Sequence, residues 1–143
     1  MANDASPRRR LALGPASWLP RQGFVVVPIW PPEPLPDTTR ARSALVGHVD
    51  GRLLAYANLC RHLAVALDFG DGDVCNPGTT DLHCRRHGAV FDGNSGECTF
   101  GPCLGRSLWP LEIEIDPFGG AHLVLSAVAE SAGPPPPRRR RPG

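Results

Sequence analysis

Four residues in two short runs could hold a metal. Cys60-Arg61-His62 is a C-x-H pair and Cys84-Arg85-Arg86-His87 a C-x-x-H pair, separated by the 21 residues 63–83. A two-iron cluster with mixed ligands takes two thiolates on one iron and two neutral imidazoles on the other, and one Cys plus one His from each of two loops supplies that set. The tight spacing inside each pair lets one loop reach both irons. His87 is followed by Gly88-Ala89, which leaves room for the backbone to curl around an inorganic core. A structural zinc tetrahedron could use the same four side chains, and spacing alone does not exclude it. Zinc patterns usually keep like ligands paired, as in C-x-x-C with H-x-x-x-H, whereas this chain pairs Cys with His twice.

Such loops need elements to position them. Pro and Gly make up 33 of the 143 residues and long stretches free of both are nearly absent, so turns and short strands should dominate over helix. Phe24 to Pro28 is a β-branched run expected to form a first strand. Pro31-Pro32-Glu33-Pro34-Leu35-Pro36 lacks the N–H donors that a sheet interior requires and reads as an extended connection. Ser43 to Val49 and Arg52 to Ala57 flank Asp50-Gly51, residues that tolerate the positive φ angles of a type I′ hairpin. Leu111-Glu112-Ile113-Glu114-Ile115 alternates apolar and acidic residues, Pro117 to Gly120 turns the chain, and His122 to Ser126 returns it as a partner strand. The stretch from 58 to 105 between these hairpins holds all five cysteines. The expected organisation is a flexible segment over 1–21, one mainly β domain over 22–127 with its ligand-bearing part at about 58–105, and a disordered Pro/Arg tail over 128–143.

The runs Asn58-Leu59-Cys60-Arg61-His62-Leu63 and Leu82-His83-Cys84-Arg85-Arg86-His87-Gly88-Ala89-Val90-Phe91-Asp92 resemble the ligand loops of the Rieske family. Gly96-Glu97-Cys98-Thr99-Phe100-Gly101-Pro102-Cys103 is similar to the family's proline loop, which covers the cluster from a third side. The resemblance implies antiparallel β-sheets with an inserted cluster-binding subdomain. It implies a 2Fe-2S cofactor on Cys60, His62, Cys84 and His87, with Gly88, Ala89 and Pro102 around it. The family often has Pro where this chain has Arg61 and Gly where it has Ala64; neither position is a ligand. High-potential members place a disulfide and Ser and Tyr hydroxyls beside the cluster. The matching positions here are Val65, Arg86, Ala89 and Phe91, which implies a low-potential, ferredoxin-like centre.

Arg61, Arg85 and Arg86 stand between ligands and are expected to ring the exposed imidazole edge, either as a docking patch for an acidic partner or simply as solvated charges. Asp68, Asp71 and Asp73, with Phe69, Gly70 and Gly72 interleaved, read as a solvated turn rather than a divalent-ion site. Cys98 and Cys103 lack the further cysteine of a plant-type ferredoxin, Arg106 standing in that position, and read as small buried hydrophobes. Cys75 reads as a loop thiol, and His48, His83 and His122 as structural. Outside residues 1–10 and 131–143, eight Arg face thirteen acidic residues, so the folded part is acidic. The Arg-rich tail carries no aromatic residue or groove for nucleic acid and is expected to be solvated. No apolar run reaches the roughly 20 residues of a membrane span. The start only faintly resembles a twin-arginine export signal, so the cytoplasm is the expected compartment.

About 40 residues follow Gly105 with His122 as their only His, too little for the mononuclear iron site of an oxygenase. The chain is therefore not expected to be catalytic alone. It reads as an electron-transfer component that takes an electron from a flavin reductase and passes it to an oxygenase or reductase. A small subunit of a larger reductase, such as a nitrite reductase, and a zinc-holding interaction module are the alternatives.

Overall fold

The computed structural model describes residues 9–63, 65–75 and 79–125. Nine strands follow one another among them: β1 (Arg9–Pro15), β2 (Gly23–Pro34), β3 (Arg40–Val49), β4 (Arg52–Ala57), β5 (Leu82–His83), β6 (Val90–Phe91), β7 (Cys98–Phe100), β8 (Pro110–Ile115) and β9 (Gly120–Leu125). A single 3-10 turn, Ala16–Trp18, is the helical content of these residues. Six strands form one sheet in the order β1-β9-β8-β4-β3-β2, and β5-β6-β7 form a small second sheet. Every paired strand is antiparallel.

The two predicted hairpins build the large sheet. Asp50 and Gly51 take φ of 50° and 84°, and β3 and β4 close on Val49↔Arg52, as the Asp-Gly pair requires. β8 and β9 pair from Glu112↔Val124 to Ile115↔Ala121. The small sheet and the ligand loops lie between β4 and β8 in the chain, as an insertion between the hairpins.

Strand alternation separates the two larger cores, and a small third one gathers Ala41, Ala57 and Leu59. Leu45 and Tyr56 face the cluster side, where they pack with Leu67, Val74, Leu82, Phe91, Leu108 and the buried cysteines. Their neighbours Ala44, Val46 and Ala55 face the other way, onto Leu19, Ile29, Ala121, Leu123 and Leu125. The sheet thus supports the inserted region on one face and has an independent apolar core on the other.

Two expectations change. Residues 9–18, expected in a flexible lead-in, are ordered: β1 pairs with β9 from Arg9↔Leu125 to Pro15↔Gly120, and Leu11 and Leu13 pack against the second core. Its period-2 pattern is short and broken by Gly14, where the register shifts, which hides it in the sequence. The proline segment is partly a strand, because β2 runs on to Pro34 and pairs Glu33 with Ala41 after an irregularity beyond Pro28. An edge strand tolerates prolines, since their missing N–H groups face no partner. Residues 1–8 and the tail 126–143 lie outside the described residues.

Candidate iron–sulfur centre

The two ligand pairs sit at the open ends of the inserted region, each held by backbone bonds that bend the loop back on itself. In the first loop, the N–H of Cys60 donates to the carbonyl of Val65 at 2.7 Å. In the second, the N–H of Cys84 donates to Ala89 O at 2.8 Å and that of Gly88 to Cys84 O at 2.9 Å, with Gly88 at φ 77°. The Arg85 N–H donates to Leu67 O at 2.9 Å, which ties the second loop to the chain leaving the first.

These folds sort the four side chains by chemistry. Cys60 and Cys84 are each 1% exposed and share one buried cluster, close enough to influence each other's charge. His62 and His87 are exposed, with ring centroids 4.8 Å apart in an edge-on arrangement. Burial pushes both thiols up, while the N–H of His62 aimed at Cys60 and those of Arg86 and His87 aimed at Cys84 pull them down. Backbone donors therefore already point at the sulfurs that would carry charge. Among the described residues no three His, Cys, Asp or Glu side chains are placed to hold one ion together. Sulfurs paired inside and imidazoles paired at the rim match a bridged pair of metals better than a tetrahedron.

The third loop closes over this arrangement. A Cβ on Gly101, which has φ 102°, would stand 2.8 Å from the Cα of Ala89, so only glycine lets the third loop lie against the second. Pro102 follows it at the surface and Cys103 turns inward. Arg106 Nη1 donates to Arg61 O at 3.3 Å and Arg61 Nη1 to Ser107 O at 2.6 Å, which fastens the third loop to the first.

The arginines are less free than their positions in the sequence indicate. The Arg61 guanidinium lies 4.0 Å from the centroid of the Trp109 ring. Arg85 pairs with Asp71 at 2.6 Å and Asp73 at 3.2 Å, which offsets part of its charge. Arg86 stacks 4.9 Å from the Phe69 ring and has no carboxylate partner among the described residues. Asp68 is buried and structural: it accepts from Asn58 Nδ2 at 3.1 Å and from the N–H groups of Gly70 and Gly72 at 3.1 and 2.8 Å. Asn58 in turn accepts the Leu67 N–H at 2.9 Å. The sequence offered no signal for this pairing beyond two polar residues flanking the first loop. His48 binds Pro20 O and His122 binds Asp116, so both have structural partners, while His83 Nε2 is buried 3.5 Å from Asp73 Oδ1 with no hydrogen-bond partner among the described residues. Cys98 and Cys103 are buried free thiols, as expected.

The profile of the Rieske 2Fe-2S domain matches residues 32–118. The chain belongs to the Rieske family. No curated protein matches the sequence. Among solved structures, the Sphingomonas yanoikuyae B1 ferredoxin is 23% identical, with a TM-score of 0.56 over 84% of this chain and 99% of that one. A chain assigned as the NADH-dependent nitrite reductase small subunit of Mycobacterium tuberculosis is 15% identical, at TM-score 0.55 over 85% and 99%. The terminal oxygenase of carbazole 1,9a-dioxygenase from Novosphingobium sp. KA1 reaches 0.61 at 17% identity, with 87% of this chain but only 31% of the oxygenase covered. At these identities the likeness is one of fold. The Rieske domain's cofactor is a 2Fe-2S cluster, and the residues fit it: buried paired sulfurs, paired imidazoles at the rim and backbone donors aimed at sulfur. No helix among the described residues is long and apolar enough to cross a membrane.

Proposed function

We propose that Cys60 and Cys84 hold the inner iron of the cluster, that His62 and His87 hold the outer one, and that the protein is a one-electron carrier between redox proteins. The observation that carries this reading is the sorting of the four side chains, with both sulfurs 1% exposed and both imidazoles in contact at the surface. When bound, the cluster supplies a reversible one-electron couple. The chain's own residues do the rest. The buried loops exclude water from the sulfur side, and His62 and His87 offer the shortest path to a partner.

Exposed Leu63, Phe69, Phe100 and Leu104 give the ligand and proline loops apolar contact area, and Arg86, stacked on Phe69, adds a cation with no carboxylate partner among the described residues. Such a face fits a partner with apolar contacts and an acidic rim. The partner classes are a flavin reductase as donor and an oxygenase or reductase as acceptor, and the compartment is the cytoplasm. The absence of hydroxyl or disulfide groups at Val65, Arg86, Ala89 and Phe91 supports a low-potential centre. The near-complete overlap with the nitrite reductase small subunit favours a second arrangement, a fixed subunit of a larger reductase. A stable complex on purification would mark that arrangement.

Iron and acid-labile sulfide analysis with low-temperature EPR of the reduced protein tests the proposal. Two irons, two sulfides and a Rieske signal are expected, and Cys60→Ser and His87→Ala should each abolish them. A zinc-only protein, or either variant with normal visible absorption, would overturn the assignment.

A further inference from the structure

One thiol lies against the ligand set without belonging to it. Cys103 Sγ stands 3.7 Å from Cys60 Sγ, within sulfur hydrogen-bonding distance, and Cys103 is 1% exposed. Its backbone is fixed on both sides of that contact: the Arg106 N–H donates to Cys103 O at 2.9 Å and the Leu104 N–H to Gly101 O at 3.3 Å. Cys98, another thiol of the same buried cluster, donates to the carbonyl of Phe100 at 3.2 Å. A Cys60 that ligates iron is a thiolate and can only accept a hydrogen bond. A second buried thiolate at this distance would be costly, so the proton between the two sulfurs stays on Cys103.

Resting on the ligand assignment above, we infer that Cys103 donates an S–H···S hydrogen bond to the Cys60 ligand and raises the reduction potential of the centre. Reduction adds one electron, and part of the added negative charge falls on the ligand sulfurs. A donor aimed at one of them stabilises the reduced state more than the oxidised one. Cys103 is a positioning residue for electron density and never a ligand. It supplies from the third loop a donor of the kind that Val65, Arg86, Ala89 and Phe91 do not place beside the cluster.

The full-length holoprotein, its Cys103→Val and its Cys103→Ser forms are compared by redox titration followed by EPR, and by resonance Raman in H2O and D2O. Valine fills the space without a donor, and serine keeps an exchangeable hydrogen. The Rieske signal should persist in all three. Cys103→Val should shift the reduction equilibrium about threefold toward the oxidised state, which is about 28 mV at 59 mV per tenfold for one electron. Serine should lie between the two. The deuterium sensitivity of the Fe–S stretching bands should shrink in Cys103→Val, while the part due to backbone N–H groups remains. A Cys103→Val protein with a normal signal and an unchanged potential overturns the inference, as do equal shifts in the valine and serine forms. If valine's bulk blocks assembly, Cys103→Ala carries the same comparison. A wild-type protein without a Rieske signal would instead sink the ligand assignment.

Discussion

At the scale of single residues, polar side chains far from the rim hold the site in shape. Asn58, 2% exposed, links the end of β4 to Asp68 and to the N–H of Leu67 across the whole first loop. Asn58→Ala leaves that N–H and one carboxylate oxygen without partners in a buried setting, which costs about 2–3 kcal/mol. Urea unfolding of the two proteins checks this. Asp116 is the opposite case, a half-buried group in the β8–β9 turn. Its bond to His122 at 2.8 Å and the N–H groups of Gly120 and Phe118 hold its carboxyl down at about 2. A carboxyl depressed below its unfolded value of about 3.9 stabilises the fold above that pH, and the contribution fades as pH falls toward 2. An NMR titration should therefore show Asp116 still ionised at pH 3, and His122→Asn should return its midpoint toward the ordinary value. The four proposed ligands stand out in the sequence because C-x-H and C-x-x-H are local patterns. The Cys103 contact does not, because it lies 43 positions along the chain from Cys60 and only the folded third loop brings it back. The Arg85 pair with Asp71 and Asp73 was hidden for the same reason.

At the scale of elements, the third loop is where the centre is closed. A side chain on Gly101 would meet the backbone of Ala89, and its φ of 102° is strained for any L-residue. Gly101→Val should lift the third loop from the second and admit water to the sulfurs. The visible absorbance of the holoprotein should then decay several-fold faster under a chelator, while the far-UV circular dichroism of the large sheet is unchanged. Turn chemistry made the hairpins legible: Asp50-Gly51 and the Leu111 to Ile115 alternation mark β3–β4 and β8–β9 with their boundaries nearly right. β1 escaped because Arg9, Arg10, Gly14 and Pro15 conceal two apolar residues, and only the long-range pairing with β9 reveals them as a strand. β2 was foreseen at Phe24 to Pro28 and missed beyond it, since nothing local says that a proline run will lie along a sheet edge.

At the scale of the whole molecule, the two larger cores give the halves different dependence on the cofactor. The core of Val46, Leu123 and Leu125 is built wholly from the large sheet and the 3-10 turn region, whereas the core around Leu67, Leu82 and Phe91 is shared with the ligand loops. Removing iron should therefore loosen residues 58–107 first. Hydrogen exchange of the apoprotein should show lost protection there and retained protection in β3, β4, β8 and β9. Retained protection throughout would mean that the loops hold their shape without metal.

Among the described residues β1 and β2 end the strand order of the same sheet, and Arg9 of β1 donates to Pro31 O of β2 at 2.7 Å. An open edge is a template on which another copy could add a strand. β2 carries Pro28, Pro31, Pro32 and Pro34, which offer no N–H groups to an incoming strand, and β1 carries Gly14, Pro15 and an irregularity before Gly14 that breaks its regular edge. The features that concealed both strands in the sequence thus work against the addition of a further strand at either edge.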